Sequence, residues 1–415
     1  MANFTPSSQT LPTDTPQEDY TVALSTLTVL FFMMGFITCL NDILIPYLKN
    51  AFTLSYTQAM LVQLCFFGAY FFMSIPSGWV VEKWGYKRSM IIGFVVAGIG
   101  CFLFYPAAQM RIYGIFLGAL FVLASGITLL QVAGNPYVAI LGKPETSSAR
   151  LTLTQAFNSL GTTLAPLFGS AVILSMIVKG GNVEKNLQAV QIPYMGLGLA
   201  LFAIATITLF VKLPAIQATQ TVNALPTQSQ KTSAWQYPHL VAGVLGIFCY
   251  VGGEVAVGSF LTNYIMETTK FIEKDASRFL LYYWGGAMVG RFLGAWILSK
   301  FRPANVLLCN ALAVMCLISV GVATQGWTSI YAFLSIGFFN SLMFPTIFTL
   351  AVKDLGKYTN QGAGLLSTAI VGGALVPLLQ GVLADNKSIG TQFAFLIPLI
   401  CYTYVAWFAW KGCKY

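Results

Sequence analysis

The sequence predicts an all-α integral membrane protein of twelve transmembrane helices, arranged as two pseudo-symmetric six-helix bundles. Three observations predict it. Only 8% of the 415 residues are charged while 57% are apolar, and the mean hydropathy is +0.74; a water-soluble surface needs more charge than that. Apolar runs of span length, about 20 residues for each crossing of the bilayer core, recur along the whole chain. The two halves of that series also echo one another in the placement of glycine and proline.

The elements follow in order. Residues 1–21 form a polar tail; the first twenty residues hold three acids and no Lys or Arg, and the first basic residue is Lys49. No cleavable signal fits that pattern, so the first apolar run stays in the protein. Spans near 22–48, 57–81, 89–108, 112–141, 149–178 and 192–211 make a first bundle, 22–211. A linker rich in Gln, Thr, Ser and Ala, 212–238, separates it from a second bundle, 239–410. The second has spans near 239–265, 277–299, 304–323, 327–352, 360–384 and 391–410, and residues 411–415 form a short tail. Gly161-x4-Pro166 in span 5 recurs as Gly372-x4-Pro377 in span 11, an offset of 211. Pro136 and Pro345 are 209 apart and Gly78 and Gly294 are 216 apart, so three offsets agree within seven residues. That agreement points to duplication of a six-helix unit.

With both termini in the cytoplasm, the internal loops and tails hold thirteen basic residues and the external loops eight, with Arg291 left inside a span. Positive charge concentrates on the cytoplasmic side of membrane proteins, which favours this orientation. The exception is the segment 267–278, where Lys270, Lys274 and Arg278 sit outside among three acids.

Composition excludes several function classes. The one histidine, His239, leaves no histidine-rich metal site, and a Ser-His-Asp hydrolase would have to use it. Seven of the eight cysteines lie within apolar runs, without disulfide or zinc spacing. The net charge of +9 is scattered over short loops, whereas nucleic-acid binders gather basic residues on one solvated face. No nucleophile and base spacing is visible, so no enzyme is expected, and no cofactor or metal. The expected partners are the lipid bilayer and a small solute, with the chain acting as a monomer.

An unpaired polar group in hydrocarbon costs several kcal/mol, so polar residues mark the helices that face something other than lipid. Spans 3 and 6 contain no charged or amide side chain. Span 1 has Asn41 and Asp42, span 4 has Gln131 and Asn135, span 5 has Gln155 and Asn158, span 7 has Glu254 and Asn263, and span 10 has Asn340. Residues three or four apart share a helical face. Gly35, Thr38 and Asp42 therefore form one stripe, Thr128, Gln131 and Asn135 a second, and Gln155, Asn158 and Thr162 a third. A cavity for a hydroxyl-rich solute needs such donors and acceptors on a mostly apolar wall.

Full charges lie well inside the spans at Asp42, Glu254 and Arg291. Isolated acids in a bilayer mark ion or substrate paths, and the alternative is a structural ion pair. Arg291 is in the inner half of span 8, within reach of the cytoplasmic interface, and reads as structural or gating. Trp284 is a candidate to stack on a sugar ring, its alternative being a place in the interfacial aromatic belt.

The segment Gly78-Trp-Val-Val-Glu82-Lys83-Trp84-Gly85-Tyr86-Lys87-Arg88 resembles the signature between helices 2 and 3 of the major facilitator superfamily, with Glu82 where Asp is usual. Within it, Asn41-Asp42-Ile-Leu-Ile-Pro46, Leu130-Gln131-Val-Ala-Gly-Asn135-Pro136-Tyr137, Gln155-Ala-Phe-Asn158-Ser-Leu-Gly161, Tyr250-Val-Gly-Gly-Glu254 and Phe344-Pro345-Thr-Ile-Phe348 resemble the fucose, galactose and glucose to proton symporter family, several of them its bacterial glucose/galactose branch. The resemblance implies a central cavity lined by helices 1, 4, 7 and 10, and an inner-membrane location in a bacterium. In fucose permeases acids on helices 1 and 4 serve sugar and proton; the first corresponds to Asp42, but Gln131 stands at the second, and Glu254 is the candidate to take over its task. The implied activity is import of a glucose- or galactose-like hexose by symport with H+ or Na+. Asp42 and Glu254 would carry the coupling ion, and Asn41, Gln131, Asn135, Gln155, Asn158, Glu254, Asn263, Trp284 and Asn340 would hold sugar. Gly78, Glu82, Gly85, Lys87, Arg88 and Arg291 would form a cytoplasmic gate. A drug/proton antiporter, a passive sugar uniporter and a non-transporting sugar receptor are the alternatives of the same architecture.

Overall fold

The computed structural model describes residues 20–51, 56–168, 183–211, 213–214, 233–386 and 390–414, without the side chains of 40–51, 56–60, 63, 166–167, 183–190 and 273–274. The tail and most of the linker lie outside the described residues. The first half consists of α1 (Thr21–Ala51), α2 (Tyr56–Met110), α3 (Tyr113–Ile140), α4 (Ser147–Phe168) and α5 (Val183–Phe210). The second half runs through α6 (Pro238–Thr269), α7 (Glu273–Arg278), α8 (Leu280–Lys300), α9 (Pro303–Ala323), α10 (Trp327–Asn340), α11 (Met343–Val352), α12 (Thr359–Thr368), α13 (Gly372–Ala384), α14 (Gly390–Ala394) and α15 (Leu396–Trp407).

Nine stretches among the described residues are long and apolar enough to cross a bilayer. One of them, Leu64–Met110, holds two passes, because α2 breaks at Gly85, whose φ of 76° and ψ of 169° only glycine adopts without strain. Predicted spans 5 and 8 are not among the nine, since α4 and α8 are more polar. The reason is positional: α4 and α8 pack on each other, so their polar faces meet protein instead of lipid.

In the first half α1 packs on α4, and the limb 86–110 of α2 packs on α3 and α5. In the second, α6 is flanked by α11, α13 and α15, and α10 sits between α8 and α9. The halves meet along two main seams, α4 with α8 and α2 with α12, flanked by α4 with α11 and α3 with α12. The repeat read from glycine spacing has a physical counterpart. A Cβ on Gly161 would collide with the Phe32 carbonyl oxygen of α1, and one on Gly372 would collide with the Phe248 carbonyl oxygen of α6. Equivalent glycines thus allow the same close helix crossing in each half.

Predicted spans 10, 11 and 12 are not continuous helices, the last turning at Phe395 between α14 and α15. Span 10 divides into α10 and α11 at Ser341 and Leu342, and span 11 passes through a 3-10 turn, Ala369–Val371, between α12 and α13. Apolar periodicity carries no signal for such breaks. The first is held by side chains from neighbouring helices that satisfy the freed carbonyls, as follows.

Candidate functional site

On the first-half wall, α3 presents Gln131 and Asn135 one turn apart, and α4 presents Gln155 and Asn158. Gln155 Nε2 donates to Asn135 Oδ1 at 3.3 Å, joining the two helices. Asn135 Nδ2 and Gln131 Oε1 are left buried without a hydrogen-bond partner. A donor and an acceptor are thus left unmet one turn apart on the same face of α3. An unmet buried polar group costs about 1–3 kcal/mol, so such a pair awaits a partner.

Part of the expected polar lining is consumed by helix packing. Asn158 Nδ2 donates to the Phe31 carbonyl of α1 at 2.9 Å, and Gly35 lies directly against the Asn158 backbone. Thr128 Oγ1 donates to Ala124 O at 2.8 Å and Thr38 Oγ1 to Met34 O at 2.8 Å, each within its own helix. The stripe on α1 expected to face solute is therefore, around Gly35, the α1–α4 contact. The backbone at Asn41 and Asp42 is helical, and their side chains lie outside the described residues.

On the second-half wall, Glu254 of α6 has its Oε1 buried without a hydrogen bond, 3.8 Å from Arg291 Nη2 of α8. The Arg291 guanidinium does not reach toward the interface as expected. It turns inward because three acceptors meet it there: Glu254, the Ser341 carbonyl freed at the helix break, at 3.1 Å from Nε, and Ser159 Oγ of α4 across the seam. One side chain links a carboxylate, a broken helix and the opposite half. Behind Glu254, Tyr250 donates to Asn340 O at 3.0 Å, Tyr283 donates to Glu254 O at 3.0 Å, and Asn340 Nδ2 donates to the Tyr283 hydroxyl at 3.1 Å.

Asn340, expected to contact solute, is fully buried and instead braces the backbone of Glu254 through Tyr283. Asn263 is exposed on α6, nine residues or about 13 Å beyond Glu254 at 1.5 Å per residue, and stands apart from the cluster. Trp284 packs on Gly258 of α6 and meets Tyr283 edge to face at 5.0 Å, so it flanks the Glu254 wall. Sequence reasoning missed Ser159, Tyr250, Tyr283 and Ser341. Helical spacing was the available signal, since Ser159 lies four residues after Gln155 and Tyr250 four before Glu254.

The signature residues gather at the end of the molecule that carries the basic loops. Gly78 packs against the Asn360 backbone of α12, and Lys87 Nζ donates to Leu209 O at 2.8 Å, a cation on the carbonyl end of α5. Glu82 and Arg88 are exposed and Gly85 makes the turn. These residues hold the fold at that end, and the seam beside them is closed.

Residues 26–377 match the family described as Major Facilitator Superfamily. The glucose/galactose transporter of Brucella abortus is 54% identical over the full length of both chains. The L-fucose-proton symporter of Escherichia coli is 33% identical over 94% of this chain and 93% of that one. A solved major facilitator transporter, FucP in the outward conformation, superposes with a TM-score of 0.86 at 32% identity, over 95% of this chain and 99% of that chain.

Proposed function

This chain belongs to the major facilitator superfamily, and from that premise we propose that it imports a glucose- or galactose-like hexose by symport with H+ or Na+. The observation that carries the reading is the unpartnered pair Asn135 Nδ2 and Gln131 Oε1, a buried donor one helical turn from a buried acceptor. Adjacent sugar hydroxyls each donate and accept, so they complement that pair. The names of the full-length relatives support the same class of solute. Gln131, an amide where fucose permeases carry an acid, favours glucose or galactose over the 6-deoxyhexose fucose.

Gln131, Asn135 and Gln155 form the first-half side of the sugar site, with Asn158 fixing α4 against α1. Asp42 and Glu254 take the coupling cation. A carboxylate in a dry cavity is unstable as a lone charge and must hold a proton or a cation. Arg291 supplies that charge to Glu254 in the present state, at 3.8 Å. An incoming cation neutralises the carboxylate and leaves Arg291 held by Ser159 and Ser341 alone, so that ion binding is felt at the seam. Both termini are cytoplasmic in this reading and the protein sits in a bacterial inner membrane, supported by the thirteen to eight distribution of basic residues. The closed basic end then makes this the outward state, in keeping with its likeness to a relative solved in that state.

Counterflow in reconstituted vesicles tests the reading. A panel of hexoses is offered with and without sodium at two pH values. Exchange of glucose or galactose that an imposed proton or sodium gradient turns into accumulation is the expected result. Exchange indifferent to both gradients would make the protein a uniporter and overturn the coupling, and a panel without any exchange would overturn the sugar.

A further inference from the structure

Cys249 of α6 and Cys401 of α15 are 152 residues apart in the sequence, whose spacing gives no sign of a pair, yet they lie in one packed cluster in the fold. Their thiols interact directly across the two helices. Around them are Ala256, Val376, Phe248 and Ile397, all apolar. The helices come close here for a local reason: a Cβ on Gly253 of α6 would stand only 3.1 Å from the Tyr402 ring of α15. A disulfide needs Cα atoms within about 7 Å of each other, a separation that helices crossing at a glycine reach. Cys249 stands five residues before Glu254, about 140° around a helix of 3.6 residues per turn, and so looks away from the Glu254 side of α6. Leu245, one turn earlier on the Cys249 face, is 46% exposed, and Ile400 next to Cys401 is 68% exposed. In a membrane-spanning bundle such apolar side chains lie against acyl chains, so the dithiol is approached from the bilayer.

We propose that Cys249 and Cys401 form a redox modification site, closed to a disulfide by a lipid-soluble quinone. Two S–H bonds break and one S–S bond forms. The two electrons and two protons pass to the quinone, which leaves as the hydroquinone. Reactants and products are all neutral, so no charge is stranded in the apolar groove. The bond ties α6 to α15 one turn before Gly252 and Gly253, and so stiffens the helix that carries Glu254. Both helices belong to the second half, which leaves the seams between the halves untouched. Oxidation therefore slows exchange without stopping it. The site stands apart from the hexose reading, and only this effect on exchange rests on it.

The full chain in lipid vesicles is treated with a fully substituted ubiquinone analogue or, for comparison, a water-soluble azodicarboxamide oxidant. Remaining thiols are alkylated, and unreduced peptides are read by mass spectrometry. The expected result is a linked peptide pair containing Cys249 and Cys401, formed several-fold faster with the quinone and absent from Cys249→Ser and Cys401→Ser. In the wild-type chain alone, the unfolding temperature should rise by several degrees and hexose counterflow should slow several-fold, both reversed by dithiothreitol. No such link after exhaustive oxidation, or links of equal yield to the exposed Cys309 and Cys316, overturns the proposal. A complete link that leaves counterflow at its reduced rate overturns the stiffening of α6. If no hexose is exchanged even before oxidation, the hexose reading has failed, while the linked peptides and the unfolding temperature still decide the disulfide.

Discussion

Glu254 and Arg291 carry opposite charges into the interior with side chains only 12% and 15% exposed. At 3.8 Å the pair is electrostatic without being a close hydrogen bond, so its worth lies mainly in avoiding a lone buried charge. Arg291→Gln should therefore lower unfolding stability by about 3–5 kcal/mol, and adding Glu254→Gln should restore most of the loss. Thermal unfolding of the four proteins in detergent, read as a double-mutant cycle, checks it; a double variant as unstable as Arg291→Gln would show that the carboxylate is not the reason. Gln131 poses the opposite case. Its Oε1 has no partner in the protein, so Gln131→Leu should leave the unfolding temperature in place. Hexose affinity should fall about tenfold, for the one or two hydrogen bonds lost. Counterflow KM alongside a melting curve separates these, and a large drop in melting temperature with unchanged KM would make Gln131 structural.

Helices here are placed by the residues that let them approach or turn. Gly161 and Gly372 sit where any side chain meets the carbonyl of the helix it crosses. Gly161→Ala and Gly372→Ala should each cost about 1–3 kcal/mol by overpacking. Gly118→Ala in α3, where a Cβ meets nothing within 4 Å, should be neutral or stabilising by about 0.5–1 kcal/mol. Gly85→Ala forces a Cβ into a backbone region reserved for glycine, at about 1–3 kcal/mol. Melting temperatures of the four variants decide, and equal values would remove the close-crossing argument. The break between α10 and α11 follows the same logic in reverse. Tyr250 and Arg291 satisfy the carbonyls it frees, at Asn340 and Ser341, so the irregular backbone is tolerated deep in the bundle.

Across the whole molecule the two halves touch mainly along α4–α8 and α2–α12, and Arg291 ties the Glu254 wall of one half to Ser159 of the other. Coupling then needs no long pathway, because the residue that senses the carboxylate also bridges the seam. Asp42→Asn with Glu254→Gln should abolish gradient-driven accumulation while exchange continues, since neutral side chains mimic the loaded form in both directions. Uptake into vesicles under an imposed proton or sodium gradient, beside counterflow without one, measures both. A double variant that still concentrates hexose would place coupling elsewhere.

The sequence by itself determined the fold class, the number of passes and the helices that carry polarity, because each follows from local composition in a solvent that punishes unpaired polar groups. Helical spacing alone also put Gln131 with Asn135, and Gln155 with Asn158, on shared faces and placed Glu254 deep in span 7. Only the tertiary structure decided what those side chains touch. Asn158 is turned onto α1, Asn340 is withdrawn behind Glu254, and Arg291 points inward to a carboxylate and a broken helix. Such choices depend on which helix lies opposite and on which carbonyls a break leaves free. Neither is recorded in the periodicity of a single helix; both arise when the helices pack together.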